Sequence, residues 1–152
     1  MIKWVNHFND VFELIFEHSL IGMAILDCNG KFIRINPKAC EIWEFTEEEL
    51  IGKHWKDITH PEDLEKSTYF MEIYNNKSTN FNMVLEKRYI SGMGKIKCCK
   101  VTTSALRNSE GSIELFASQI FDITKKKEAI ESINKGLELL QELKNKQPVI
   151  SS

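Results

Sequence analysis

The stretch DITHPEDLEK, residues 57–66, sets His60 beside a proline and among three carboxylates, Asp57, Glu62 and Asp63. An imidazole in such company could ligate a metal, take the axial position on a haem iron, or move a proton. The other groups able to do chemistry are scattered. His7, His18, His54 and His60 show no i,i+4 pairing and no zinc-finger spacing. Cys28, Cys40, Cys98 and Cys99 contain no C-x-x-C pair, and the adjacent Cys98 and Cys99 would point to opposite faces of a strand. Reduced thiols of a reducing compartment are the simpler reading. Glu47, Glu48 and Glu49 form a carboxylate run that suits the first turn of a helix. No nucleophile–base pair, phosphate-binding glycine loop or metal cluster stands out, which argues against catalysis within these 152 residues.

The residues around His60 also spell a helix start. Thr59 and Glu62 have the spacing of a capping box. Pro61 fits the first turn, where the amide it lacks would have had no partner, and Glu62 and Asp63 suit the positive end of the helix dipole. His60 then lies at the tip of a helix over roughly 59–75, whose inward stripe is Leu64, Phe70, Met71 and Tyr74. This reading needs no ligand and outweighs the metal and haem readings.

Other elements must surround that helix. Ile2, Val5, Phe8, Val11, Phe12 and Ile15 recur at helical spacing and predict an amphipathic helix over 1–18. Two apolar runs flank Asn29-Gly30, a hairpin signal, so 21–27 and 31–36 should pair as antiparallel strands. Asn36-Pro37 opens a short helix, and Thr46 with Glu49 caps another. From residue 78 the period becomes two. Phe81, Met83 and Leu85 alternate with Asn82, Val84 and Glu86, and two further strands follow around SGMG and RNSEG. A five-stranded antiparallel sheet with helices on one face results. In its last strand Phe116 and Ile120 face one way, and Leu115, Ala117 and Phe121 the other. That strand should therefore be covered twice, by the middle helices and by the N-terminal helix or a second protomer.

The tail, 124–146, sets Ile130, Ile133, Leu137 and Leu140 in a heptad-like row after Ile123. So short a coil is marginal alone and would gain most from a partner helix. Asp122 and Thr124 would help it start from the sheet, and 147–152 reads as a frayed end. With 42% hydrophobic residues the chain can bury a core, and a net charge of −2 gives no footprint for nucleic acid or an anionic membrane. No apolar run approaches the roughly 20 residues of a membrane span. The opening MIKWVNHFND lacks the apolar core of a signal peptide. A cytoplasmic location is expected.

The ordered succession GMAILDCNGKFIRINPKACEIWEFTEEELIGK, ITHPEDLEK, the turns near Gly94 and Gly111, and FDITKKKEA resembles a PAS (sensory-box) domain, from about residue 10 to 127. The resemblance implies the α+β PAS fold over a core of 19–123, with a cavity between the inner sheet face and the middle helices. It implies a module that senses a ligand, redox state or light, or mediates association. Such modules sit in histidine kinases, diguanylate cyclases and transcription regulators. The helix after Asp122, Ile123 and Thr124 would carry the signal to an effector domain or partner, making Asp122 and Thr124 the coupling residues.

Departures narrow the cofactor. The flavin-binding subgroup has a cysteine in a motif like NCRFLQ; here the region reads GKHWKDI, with His54 and Trp55 and no cysteine. Ile120 stands where that subgroup has a glutamine. Both argue against a flavin adduct. The C-x-x-C-H haem attachment signature is absent, leaving His60 as the residual haem-ligand candidate. No covalently bound cofactor is expected.

Candidate wall residues for a small, largely apolar ligand are Phe70, Met71, Met83, Leu85, Cys99, Val101, Phe116 and Ile120. The plainer alternative is that they fill a closed core. A homodimer is expected, with Val5, Phe8 and Phe12 of the first helix and Ile130, Ile133, Leu137 and Leu140 of the last as candidate contacts. The competing reading is a ligand-free interaction scaffold.

Overall fold

A computed structural model describes residues 2–76 and 82–148, with side chains from residue 7 onward. The side chain of Val5 and all of Phe81 fall outside the described residues. The chain divides into two compact units, 1–122 and 123–152.

The first unit runs α1 (Ile2–His18), β1 (Gly22–Asp27), β2 (Phe32–Ile35), α2 (Pro37–Trp43) and α3 (Glu47–Leu50). Two short 3-10 turns follow, Trp55–Ile58 and Pro61–Asp63, and then α4 (Leu64–Asn76), β3 (Met83–Ile90), β4 (Ile96–Arg107) and β5 (Ile113–Asp122). The five strands form one antiparallel sheet in the order β2-β1-β5-β4-β3. Its inner face carries the core, including Leu26, Phe32, Leu85, Val101, Phe116 and Ile120, beneath Trp43, Leu50 and Tyr74.

The β1–β2 turn is wider than a two-residue hairpin. The Asp27 carboxylate accepts from the amides of Asn29 and Lys31, both at 2.9 Å, so only Gly30 takes a positive φ, 86°. A Cβ on Gly30 would stand 2.8 Å from both His54 Nε2 and Trp55 Cδ1. The glycine therefore lets the 54–55 segment close against the turn.

Asn36 does more than cap α2. Its Oδ1 accepts from the amides of Ala39 (2.9 Å) and Met23 (2.8 Å), and its Nδ2 donates to the carbonyls of Phe16 (3.0 Å) and Ile21 (2.9 Å). One fully buried amide thus joins the end of α1, β1 and α2. Thr46 and Glu49 make the expected capping box of α3.

The helix expected over 59–75 is instead a 3-10 turn followed by α4. The Nδ1 of His60, not Thr59, takes the capping amide, that of Glu62, at 3.2 Å. Thr59 is turned away: its hydroxyl donates to the Trp55 carbonyl at 2.9 Å. Asp63 is held by Arg88 of β3, its Oδ2 accepting from the Arg88 amide at 2.7 Å. This long-range clamp fixes the segment before the helix proper begins.

Of the two covers expected for the outer sheet face, α1 supplies only part. Among described side chains α1 buries only Phe16, while Phe8, Val11, Phe12, Leu14 and Ile15 stay exposed. The helix is tied to the edge strand β2, through Glu13 and Glu17 with Arg34, whose guanidinium lies 4.4 Å from the Phe16 ring centroid. Ala117 and Phe121 of β5 are exposed in the single chain, which leaves a second protomer as the expected cover there.

The second unit is α5 (Thr124–Lys146), with Ile123 at its N-cap and no side-chain cap bond. Glu131 and Lys135 pair at 3.2 Å, and Ile130, Ile133, Leu137 and Leu140 are all exposed.

Candidate ligand cavity

Strand alternation places Met83, Leu85, Lys87 and Tyr89 of β3 on the inner face, beside Val101 and Thr103 of β4 and Phe116, Ser118 and Ile120 of β5. Ser67 and Met71 of α4, Trp43 of α2 and Trp55 of the first 3-10 turn close over them, leaving a cavity of about 50 Å³. That space accepts a few waters or a very small molecule, well short of the roughly 300–1,000 Å³ of drug-sized sites.

Six expected wall residues line this cavity: Met71, Met83, Leu85, Val101, Phe116 and Ile120. Phe70 packs half-buried against the core and Cys99 is wholly buried in it, and neither is part of the cavity wall. Burial, with help from Asp122 and Cys98, pushes the Cys99 thiol up to about 12, so it behaves as a small apolar group. His60 does not line the cavity, and its Nδ1 is occupied by the Glu62 amide. Asp122 ends β5, opposite Cys99, and Thr124 begins α5. The candidate contact residues Phe8 and Phe12 of α1 are exposed, and Phe12 borders a groove over Met23, Ile25 and Ala117.

The polar part of the wall was not anticipated. Lys87 Nζ donates to Thr59 Oγ1 at 3.1 Å and lies 4.5 Å and 4.6 Å from the ring centroids of Trp55 and Tyr89. Burial pulls its ammonium down to about 7, with Cys99 and Asp63 acting weakly in the other direction. The Tyr89 hydroxyl is raised well above its ordinary value by burial. Thr103 and Ser118 share a hydrogen bond of 3.0 Å, while Ser67 Oγ and Trp43 Nε1 are buried without a partner.

These groups are positioned by the stitched 54–63 segment. Trp55 N donates to the Gly30 carbonyl at 3.0 Å, Thr59 bridges Tyr89, and His60 N donates to the Arg88 carbonyl at 3.0 Å. Arg88 also binds Asp63 (2.8 Å) and Glu62 (3.0 Å) through Nη2. The Arg88 hydrogen bond lowers the Asp63 carboxyl below its ordinary value and raises the guanidinium above its own. The carboxylates that made His60 look catalytic are thus structural. Period two already puts Lys87 on the face of Met83 and Leu85, and helical spacing sets Ser67 with Met71 and Tyr74. Both signals were present in the sequence. Among the described residues no group of three metal-ligating side chains occurs, and no helix is long and apolar enough to cross a membrane.

A family model described as PAS domain matches residues 20–125. A probable diguanylate cyclase, DgcE of Escherichia coli (strain K12), is 29% identical over 136 residues, 89% of this chain. The chain spans 12% of that protein's length. Among solved structures, the PAS domain of a protein from Colwellia psychrerythraea superposes with a TM-score of 0.70 at 18% identity, covering 78% of this chain and 98% of that one. A sensory box histidine kinase/response regulator from Burkholderia thailandensis E264 gives 0.67 at 19% identity, covering 86% and 98%.

Proposed function

This chain belongs to the PAS-domain family, and from that premise we propose that it is a sensing and dimerising regulatory module. A ligand or partner alters the first unit, and α5 passes the change to an effector through the region of Asp122 and Thr124. The observation that carries this reading is the enclosed cavity on the inner sheet face of a chain whose α1 and α5 both keep apolar stripes exposed. Exposed stripes of this kind fit a second copy of the chain: Phe8 and Phe12 on α1, and Ile130, Ile133, Leu137 and Leu140 on α5. The relatives support an effector of the diguanylate cyclase or histidine kinase kind, supplied by another domain or another protein. The cavity volume supports a small ligand and speaks against a resident haem or flavin. The same small volume favours the second reading, a ligand-free scaffold. An absorption spectrum of natively purified protein, then denaturing extraction and mass spectrometry, separates them. A colourless protein that releases one small molecule supports sensing. A haem or flavin band overturns the cofactor assignment, and a colourless, empty protein favours the scaffold.

A further inference from the structure

The cavity wall carries one formal charge, the ammonium of Lys87, and no carboxylate belongs to that wall. Desolvating a cation without a counter-ion is unfavourable, and the rings of Trp55 and Tyr89 and the Thr59 hydroxyl compensate only in part. The titratable neighbours do not supply the missing charge. Asp63 is engaged by Arg88, while burial keeps the Cys99 thiol and the Tyr89 hydroxyl protonated at neutral pH.

Two more donors point the same way. Ser67 Oγ and Trp43 Nε1 belong to cavity-lining residues that are 2% and 1% exposed, and neither atom has a hydrogen-bond partner. An indole N–H can only donate, and buried donors are rarely left unused. A cation and two spare donors on residues that line one cavity call for an acceptor that carries negative charge. Size restricts it further. At roughly 10–15 Å³ of such space for each water-sized atom, a cavity of about 50 Å³ holds about three or four heavy atoms.

We propose that the cavity binds a carboxylate of formate or acetate size, its oxygens held by Lys87 Nζ and Ser67 Oγ. This rests on the reading of the cavity as a ligand site and names its ligand class. The geometry makes the charged end decisive, and the aliphatic wall of Leu85, Val101 and Ile120 limits the remainder to a hydrogen or a methyl group.

The test is a titration of the full chain at pH 6, below the value of about 7 to which burial brings Lys87, followed by amide resonances in two-dimensional NMR, with sodium acetate at constant ionic strength. Acetamide serves as the neutral isostere and sodium chloride as the simple anion. Acetate should give saturable shifts at Ser67, Lys87 and Tyr89 that acetamide and chloride do not give. Lys87→Met should weaken acetate binding by about tenfold or more, the loss of a charge-assisted hydrogen bond. Ser67→Ala, which leaves the charge in place, should weaken it by about three- to tenfold. Absence of saturable shifts, equal shifts from chloride, or unchanged affinity in both variants overturns the assignment. Equal shifts from acetamide overturn the anion while leaving the cavity a ligand site, which distinguishes this failure from failure of the sensing reading.

Discussion

Replacing Lys87 with methionine keeps most of the side chain's length and removes its charge, which makes the cost of the buried ammonium measurable. Burial pulls this group from an ordinary value of 10.5 to about 7 in the folded protein. Between these two values the unfolded chain holds the proton and the folded chain does not. Stability from this group therefore rises with pH across that window, and it is lost as pH falls through about 7. At about 1.4 kcal/mol for each pH unit the window sets a ceiling near 5 kcal/mol. Protein relaxation, water entry and the cation–π contacts lower that ceiling, and about 2 kcal/mol is the working figure. Lys87→Met lacks the dependence. Its stability relative to wild type should be greatest near pH 6, with the advantage shrinking by about 2 kcal/mol toward pH 10. Urea unfolding of both proteins across that range measures it, and Cys99, which titrates in both, cancels in the difference to first order. A difference that stays constant with pH, or widens as pH rises, would refute the claim that the ammonium is desolvated.

Three further outcomes are expected. Asn36→Ala removes a cap and strands the buried carbonyls of Phe16 and Ile21, so urea unfolding should show a loss of about 3 kcal/mol; a loss under about 1 kcal/mol would mean the amide joins nothing of consequence. If α5 pairs the proposed dimer, Leu137→Asp with Leu140→Asp should lower the sedimentation coefficient toward that of a monomer; a wild-type chain that already sediments as a monomer refutes the dimer, and a dimer unchanged by the substitutions places the contact elsewhere. Asp122→Ala should speed hydrogen exchange over 124–140, whereas unaltered protection there would remove Asp122 from the coupling path.

The sheet was legible because its signals are local. Alternation in β3, β4 and β5 needs no knowledge of distant residues, and neither does the Thr46–Glu49 box. What misled were contacts made at long range. Thr59 and Glu62 have capping spacing, yet Arg88 of β3, 25 residues beyond Asp63, claims Asp63 and Glu62 and gives the cap to His60. The apolar outer residues of β5 called for a cover by α1 or a second protomer, and the share that α1 supplies is set by Arg34, which draws the helix to the β2 edge. Lys87 sits at an inward parity, and a lysine in a strand ordinarily reads as a solvated position. Its burial depends on Trp55, whose approach is set by Gly30 far away in the chain.

The strand order β2-β1-β5-β4-β3 puts the first and last strands of the unit side by side, with Gly22 opposite Ile120. The polypeptide thus enters the sheet and leaves it at one end, about a strand spacing apart. A fold with adjoining ends can be spliced into a host gene between existing segments while barely displacing either. It can also be duplicated head to tail without redesign of its interior. Shuffling by recombination is in this sense a property of the strand order.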